Sequence, residues 1–176
     1  MVSPRSAASA VKEFSMLSRA FLLCCAMLFV ASVALAADPK THLPGDLSLR
    51  EALTVQNAAL EKARAQGVPM NIAVVDAGGH LKTFVRQDGA FLGSIDISIK
   101  KAVTARYFNM PTSALGAAAQ PGKELFGIEA TNDGLVIFGG GELLVRKGVV
   151  VGAIGVSGGS VAEDTNVAKA GASALR

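Results

Sequence analysis

The spacing of apolar positions along the chain predicts four helical regions. Two of them open with a serine followed three residues later by a glutamate, Ser48 with Glu51 and Ser160 with Glu163. This is the spacing of a capping box, in which both side chains bind free amides of the first helical turn. Ser94 is the expected N-cap of another helix. The predicted helices and helical turns cover residues 48–66, 94–109, 113–119 with 125–129, and 160–175.

Short apolar runs of strand length separate these helices. Gly78 and Gly79 stand between the first two runs and predict a tight hairpin turn. The order α-ββ-α-βββ-α predicts an α+β domain, with a single antiparallel sheet of about five strands and helices packed on it. The predicted strands are residues 70–76, 80–86, 135–138, 143–146 and 149–156.

Residues 135–160 carry eight glycines among branched apolar residues. They contain neither a lysine followed by serine or threonine nor a G-x-G-x-x-G fingerprint, so known nucleotide-binding loops are not indicated. We expect the glycines to let the strands approach closely and to leave an apolar recess. The amides of Gly158 and Gly159 would open the last helix and hold an anion, such as a carboxylate or propionate. A plain cap and turn is the alternative.

The N-terminal residues resemble a secretory signal peptide. Arg19 precedes the apolar run 20–33, and Ala34 and Ala36 are the small residues that a signal peptidase reads. The run is short for a membrane span, although an uncleaved anchor is the alternative. We therefore expect a signal peptide at 1–36, a flexible lead-in at 37–47, a domain at 48–176 and a periplasmic or secreted protein. Met16 is an alternative start.

Cleavage after residue 36 changes the composition of the protein. Both cysteines, Cys24 and Cys25, are lost, so no disulfide or thiolate chemistry is expected. The net charge falls from +3 to +1, because three of the basic residues and one acidic residue lie in the leader. This charge gives no indication of nucleic-acid binding, and no stable membrane insertion is expected after cleavage.

The mature chain has two histidines, His42 and His80. Either is a possible ligand for a metal or a haem iron, because neutral imidazole coordinates both. No H-x-x-x-H pair is present, which argues against a preformed zinc site. A plain surface role is the alternative for each. Tyr107, Met70 and Met110 are further axial ligands that the chemistry allows.

Four blocks in a fixed order resemble the GlcG/HbpS family of haem-degrading or haem-binding domains, and the resemblance covers about residues 48–176. The blocks are NIAVVDAGGHLKTFVRQDGA, IKKAVTARYF, GLVIFGGGELLV and GVVVGAIGVSGG, with VAKAG near the end. The resemblance implies a compact α+β domain that forms homo-oligomers. Some relatives bind haem, and some promote its breakdown.

The resemblance implies haem as cofactor, and the interpretation that follows is an exported haem-binding protein, with weak haem degradation and haem or redox sensing as further roles that the resemblance leaves open. In this interpretation a histidine meets the iron, aromatic side chains contact the porphyrin, and an arginine or free amides take the propionates. The candidate residues are His80, His42, Phe84, Arg86, Phe138, Gly158 and Gly159. Two alternatives stay open: a binding protein or accessory enzyme for small organic acids such as glycolate, and a ligand-free oligomeric partner domain.

Overall fold

The computed structural model describes residues 45–175, which fold into four helices and four strands with one short 3₁₀ turn. The helices are α1 (Leu49–Gln66), α2 (Gly93–Phe108), α3 (Thr112–Ala118) and α4 (Val161–Ser173), and the 3₁₀ turn is Ile128–Ala130. The strands are β1 (Asn71–Asp76), β2 (Leu81–Arg86), β3 (Gly141–Arg146) and β4 (Val149–Ser157). The predicted signal peptide and His42 lie outside the described residues.

The four strands form one antiparallel sheet in the order β2-β1-β4-β3. β1 and β4 are central, whereas β2 and β3 form the edges. The register of β1 with β2 shifts between Val74 and Val75, so that Val74 faces Thr83 and Val75 faces Leu81. Lys82 is therefore an extra residue in β2, which is the arrangement of a β-bulge.

Helices cover both faces of the sheet. α1 and α4 pack against each other and against one face, where the larger core contains Val55, Ile72 and Ile154. α2 packs on the other face, where Ala102 and Ala105 meet Ala73 of β1. The domain is thus a helix–sheet–helix sandwich of the α+β class, as the sequence predicts.

Both predicted capping boxes are present. The hydroxyl of Ser48 accepts the amide of Glu51, and the Glu51 carboxylate accepts the amide of Ser48. Ser160 and Glu163 repeat this reciprocal arrangement at the start of α4. Because each box satisfies backbone amides with side chains three residues away, the sequence alone was sufficient to predict where both helices begin.

Two local predictions are wrong. Residues 135–138 are not a strand, because their backbone binds side chains instead of a neighbouring strand. The Val136 amide donates to the hydroxyl of Thr104, and the Phe138 carbonyl accepts from Thr112. Ser94 is not an N-cap: it is buried within the first turn of α2, and no side chain caps that helix. Within residues 45–175, no helix is both long enough and apolar enough to span a bilayer.

Candidate functional site

The turn between β1 and β2 is held by two carboxylates. One oxygen of Asp76, Oδ1, accepts the amides of Gly78 and His80, each at 2.9 Å. The same oxygen lies 3.4 Å from Nδ1 of the His80 imidazole. Asp46 accepts the amide of Ala77 at 3.1 Å. The backbone of the turn is therefore well fixed, while the His80 side chain is 82% exposed.

The two glycines of this turn leave room for two rings. A Cβ atom at Gly78 would lie 2.7 Å from Nδ1 of His80. A Cβ atom at Gly79, where φ is +83°, would lie 2.5 Å from Cε1 of Tyr107 on α2. Glycine is required at position 79, where φ is also positive, whereas at position 78 a side chain would only displace the exposed His80 ring. The turn thus has the His80 imidazole against one of its glycines and the Tyr107 phenol of α2 against the other.

One face of β2 is formed by three of its side chains. Register partners across antiparallel strands point to the same face, and Leu81, Phe84 and Arg86 pair with β1 residues on the α2 side. Phe84 is half-buried against the α2-side core, and Leu81 is 50% exposed. Arg86 is exposed and has no ion pair among the described residues.

Two of the predicted site residues, Phe84 and Arg86, therefore lie on one face of β2. We use the name hairpin face for Leu81, Phe84 and Arg86 together with His80 and Tyr107 at the turn. His80 pairs with Asp76 across the hairpin, so its side chain projects to the side opposite Leu81. The group thus contains an imidazole at the turn, apolar side chains, and a guanidinium at the end of β2.

A groove of about 370 Å³ lies at the outer edge of β2, between that strand and α1. It has apolar side chains at Leu60 and Val85, and guanidinium groups at Arg64 and Arg86. Gln87 and Asp88 complete its lining. Arg86 thus belongs to both the hairpin face and this groove. Because Asp88 and the Arg64 partner Glu61 are acidic, the groove is not a strongly cationic pocket.

Two other predicted site residues, Phe138 and Gly159, lie at a buried ion pair. Lys101 has no exposed surface, and its ammonium donates to Asp164 Oδ2 at 2.7 Å and to the Val156 carbonyl at 2.9 Å. The ammonium also lies 4.8 Å from the centre of the Phe138 ring. Burial lowers the pKa of Lys101, and the Asp164 carboxylate opposes that shift. Phe138 thus contacts a structural cation of its own chain.

The expectation of an apolar recess with free amides beside the glycines is not met. The Gly159 amide donates to Oδ1 of Asp164 at 3.0 Å, so the chain itself supplies the anion at this helix start. A Cβ atom at Gly155 would collide with the Ser98 carbonyl and the Ala102 amide of α2. These glycines bring helices close to the sheet, and the space beside them is filled by the chain's own atoms.

The sequence interpretation missed two residues of interest. Asp76 follows a predicted strand, where sequence indicates only a turn-forming role, which it does have; its position next to the His80 ring depends on the folded turn. Lys101 was not singled out, although it is one helical turn from Ser98 and Ala105 on the buried side of α2. A helical face that is buried through Ser98, Lys101 and Thr104 cannot be found from apolar residues alone. Within residues 45–175, no group of three potential metal ligands occurs.

The fold is that of a small α+β domain, and the candidate residues of the hairpin face lie at an outer strand. The chain belongs to the HbpS-like family: the family model described as "Haem degrading protein HbpS-like" matches residues 47–173. It is also similar to a 15.0 kDa protein from the dhaT–dhaS intergenic region of Citrobacter freundii. The two are 41% identical over 131 residues, covering 74% of this chain and 92% of that protein.

Two further similarities concern PduO proteins. The chain is 38% identical over 130 residues to the corrinoid adenosyltransferase PduO of Citrobacter freundii. The matched region covers 73% of this chain but only 39% of PduO. A crystal structure described as a PduOC:Heme complex is 36% identical, with a TM-score of 0.72, and covers 74% of this chain and 96% of that one. The similarity to PduO is therefore confined to part of that enzyme.

Proposed function

We propose that this protein binds haem. The observation that carries the proposal is the similarity to PduOC, a domain solved in complex with haem, which is matched over 96% of its length. The HbpS-like family model, which covers residues 47–173, supports the same ligand. Because the matched part of PduO is the minor part of that protein, adenosyltransferase activity is not included in the proposal.

The hairpin face has side chains of the kinds that bind haem. The His80 imidazole is 82% exposed and available to an incoming iron. Leu81 and Tyr107 are 50% and 53% exposed and offer apolar surface in the same hairpin region. Arg86 is exposed at the end of β2 and is suited to a propionate. The residues present therefore fit the group in their chemistry.

Each residue of the hairpin face has a distinct role in this proposal. His80 would hold the iron at the turn, while Phe84, Tyr107 and Arg86 are the candidate contacts for the porphyrin and a propionate. Bound haem supplies the iron and its redox chemistry, while the protein supplies position and surroundings. One side of the ligand would remain open to solvent in a single chain, because β2 is an edge strand.

Titration of the purified protein with hemin tests the proposal through the Soret band. We expect a shifted band that saturates with added hemin, and His80→Ala should weaken binding at least tenfold. Leu81→Ser should also weaken binding, whereas Leu53→Ser should not, since Leu53 is a similarly exposed leucine on α1, away from β2.

The results distinguish the parts of the proposal. A wild-type protein that never shifts the Soret band overturns haem binding. His42→Ala serves as the matched histidine variant. If it abolishes binding while His80→Ala does not, His42 is the ligand and the role given to the hairpin face is overturned.

We also propose that the protein is exported, on the basis of its N-terminal sequence. The apolar run 20–33 and the alanines at 34 and 36 support cleavage after residue 36. Mass spectrometry of the protein from the cell envelope or medium should give a chain that begins at Ala37. An intact 17.9 kDa chain found only inside the cell contradicts export.

A further inference from the structure

We propose that Asp76 is the positioning residue of this site, which holds the His80 ring with Nδ1 toward the protein and Nε2 toward the ligand. The inference rests on the proposed function, because it assigns the nitrogen that would meet the iron. It adds a residue and an atom to the site proposed above. It also makes a claim about the protein without ligand, which can be tested separately.

The first step of the argument is that the Asp76 carboxylate is fixed. Its Oδ1 atom accepts two backbone amides of the turn at 2.9 Å, and its side chain is only 18% exposed. A carboxylate held by backbone amides does not follow the motions of an exposed neighbour. The imidazole, which is 82% exposed, is the mobile member of the pair.

The second step is that Asp76 is available to the imidazole. Among the described residues, the His80 imidazole is the one basic side chain that Asp76 faces, because Lys82 on the next strand pairs with Asp46 instead. Asp46 also accepts the Ala77 amide, so each of the two carboxylates binds different amides of the turn. In this arrangement the Asp76 carboxylate faces Nδ1 of His80.

The third step is that the turn has room for this pairing. The missing side chain at Gly78 is what lets the imidazole lie against the turn, since a Cβ atom there would be 2.7 Å from Nδ1 and 2.8 Å from Cε1 of His80. The Nδ1–Oδ1 distance of 3.4 Å is longer than a good hydrogen bond. A small rotation of the exposed ring would shorten this distance to that of a hydrogen bond, as is common for sites that tighten on binding.

The chemical consequence concerns the neutral imidazole. When Nδ1 carries the proton and donates it to a carboxylate, the lone pair is on Nε2, and this nitrogen becomes a stronger donor to a metal. Most histidines that bind metals have such a partner. Asp76 therefore sets both the direction of the ring and the nitrogen that binds.

The test uses Asp76→Asn, whose side-chain oxygen can still accept the two amides of the turn. In ligand-free protein, ¹⁵N shifts of the neutral His80 ring should show predominantly the Nδ1–H form, and Asp76→Asn should lose this preference. Asp46→Asn is the matched control, because it removes a carboxylate from the same turn that does not face the ring. That control should keep the wild-type tautomer.

Hemin binding gives the second readout. Asp76→Asn should weaken binding about 10–100-fold and shift the Soret band of the complex, while Asp46→Asn should change neither by more than about twofold. A wild-type His80 that is mainly the Nε2–H form overturns the inference, and so does an Asp76→Asn protein with unchanged tautomer and affinity. If hemin does not bind at all, the proposed function fails, and the ¹⁵N result still decides the role of Asp76.

Discussion

Lys101 shows how one residue joins several parts of the domain. Its ammonium is wholly buried on α2, yet it binds Asp164 of α4, the Val156 carbonyl of β4 and the face of Phe138. All its donors are directed at protein groups, which is the condition for keeping a charge away from water. The same Asp164 also accepts the Gly159 amide, so the pair fixes the start of α4.

Lys101→Met should destabilise the protein by about 3–5 kcal/mol, because it leaves the Asp164 carboxylate buried without its cation. The double variant Lys101→Met with Asp164→Leu should recover a large part of this loss, since it removes the remaining charge. Recovery should be incomplete because the Gly159 amide loses its acceptor. Urea unfolding measures all three proteins, and a single variant as stable as wild type contradicts this account.

At the scale of elements, one residue of the α1 capping box also links this helix to the edge strand β3. Glu51 completes the capping box with Ser48 and also binds Arg146 of β3 at 2.6 Å. Hydrogen bonds from Arg146, and then from Ser48, lower the pKa of Glu51 from 4.5 to about 2. A local signal for starting a helix thus contributes a long-range contact.

Glu51 should make the stability of the protein depend on acid. Because its pKa is lower in the folded chain, its contribution is complete above about pH 4.5 and is lost as the pH falls toward 2. We expect Glu51→Gln to cost about 1–2 kcal/mol at pH 7 and little near pH 2. Urea unfolding at several pH values measures this difference.

Glu163→Gln is the control for that measurement. Glu163 occupies the same position in the capping box of α4, and hydrogen bonds from Ser160 lower its pKa, but no arginine contacts it among the described residues. Its effect on the acid dependence should therefore be smaller. Equal acid dependence for Glu51→Gln and Glu163→Gln would show that Arg146 contributes nothing.

The elements that could be predicted from sequence are those with local signals. The two capping boxes and the Gly78–Gly79 hairpin each depend on residues within four positions of one another. Residues 135–138 have the composition of a strand, but their backbone partners are Thr104 and Thr112, which are distant along the chain. Composition cannot reveal a partner of that kind, and so the number of strands was overestimated.

At the scale of the whole molecule, the difference between local signals and distant partners explains which candidate site residues could be grouped from sequence. His80, Phe84 and Arg86 could be grouped from sequence because one hairpin carries all three. Phe138, Gly158 and Gly159 could not be placed, because their positions depend on how α2 and α4 meet around Lys101 and Asp164. The site that we propose consequently lies at an outer strand and not beside the glycines at the centre. The homo-oligomer stays a prediction.

The extra residue in β2 decides which side chains share one face of this hairpin. Strict alternation would send Leu81 and Phe84 to opposite sides, since they are an odd number of positions apart; the bulge at Lys82 returns both to one side. Deleting that single residue would leave the rest of the sequence unchanged and still turn Leu81 away from Phe84. A relative with the same hairpin sequence but without this residue would then present a different surface.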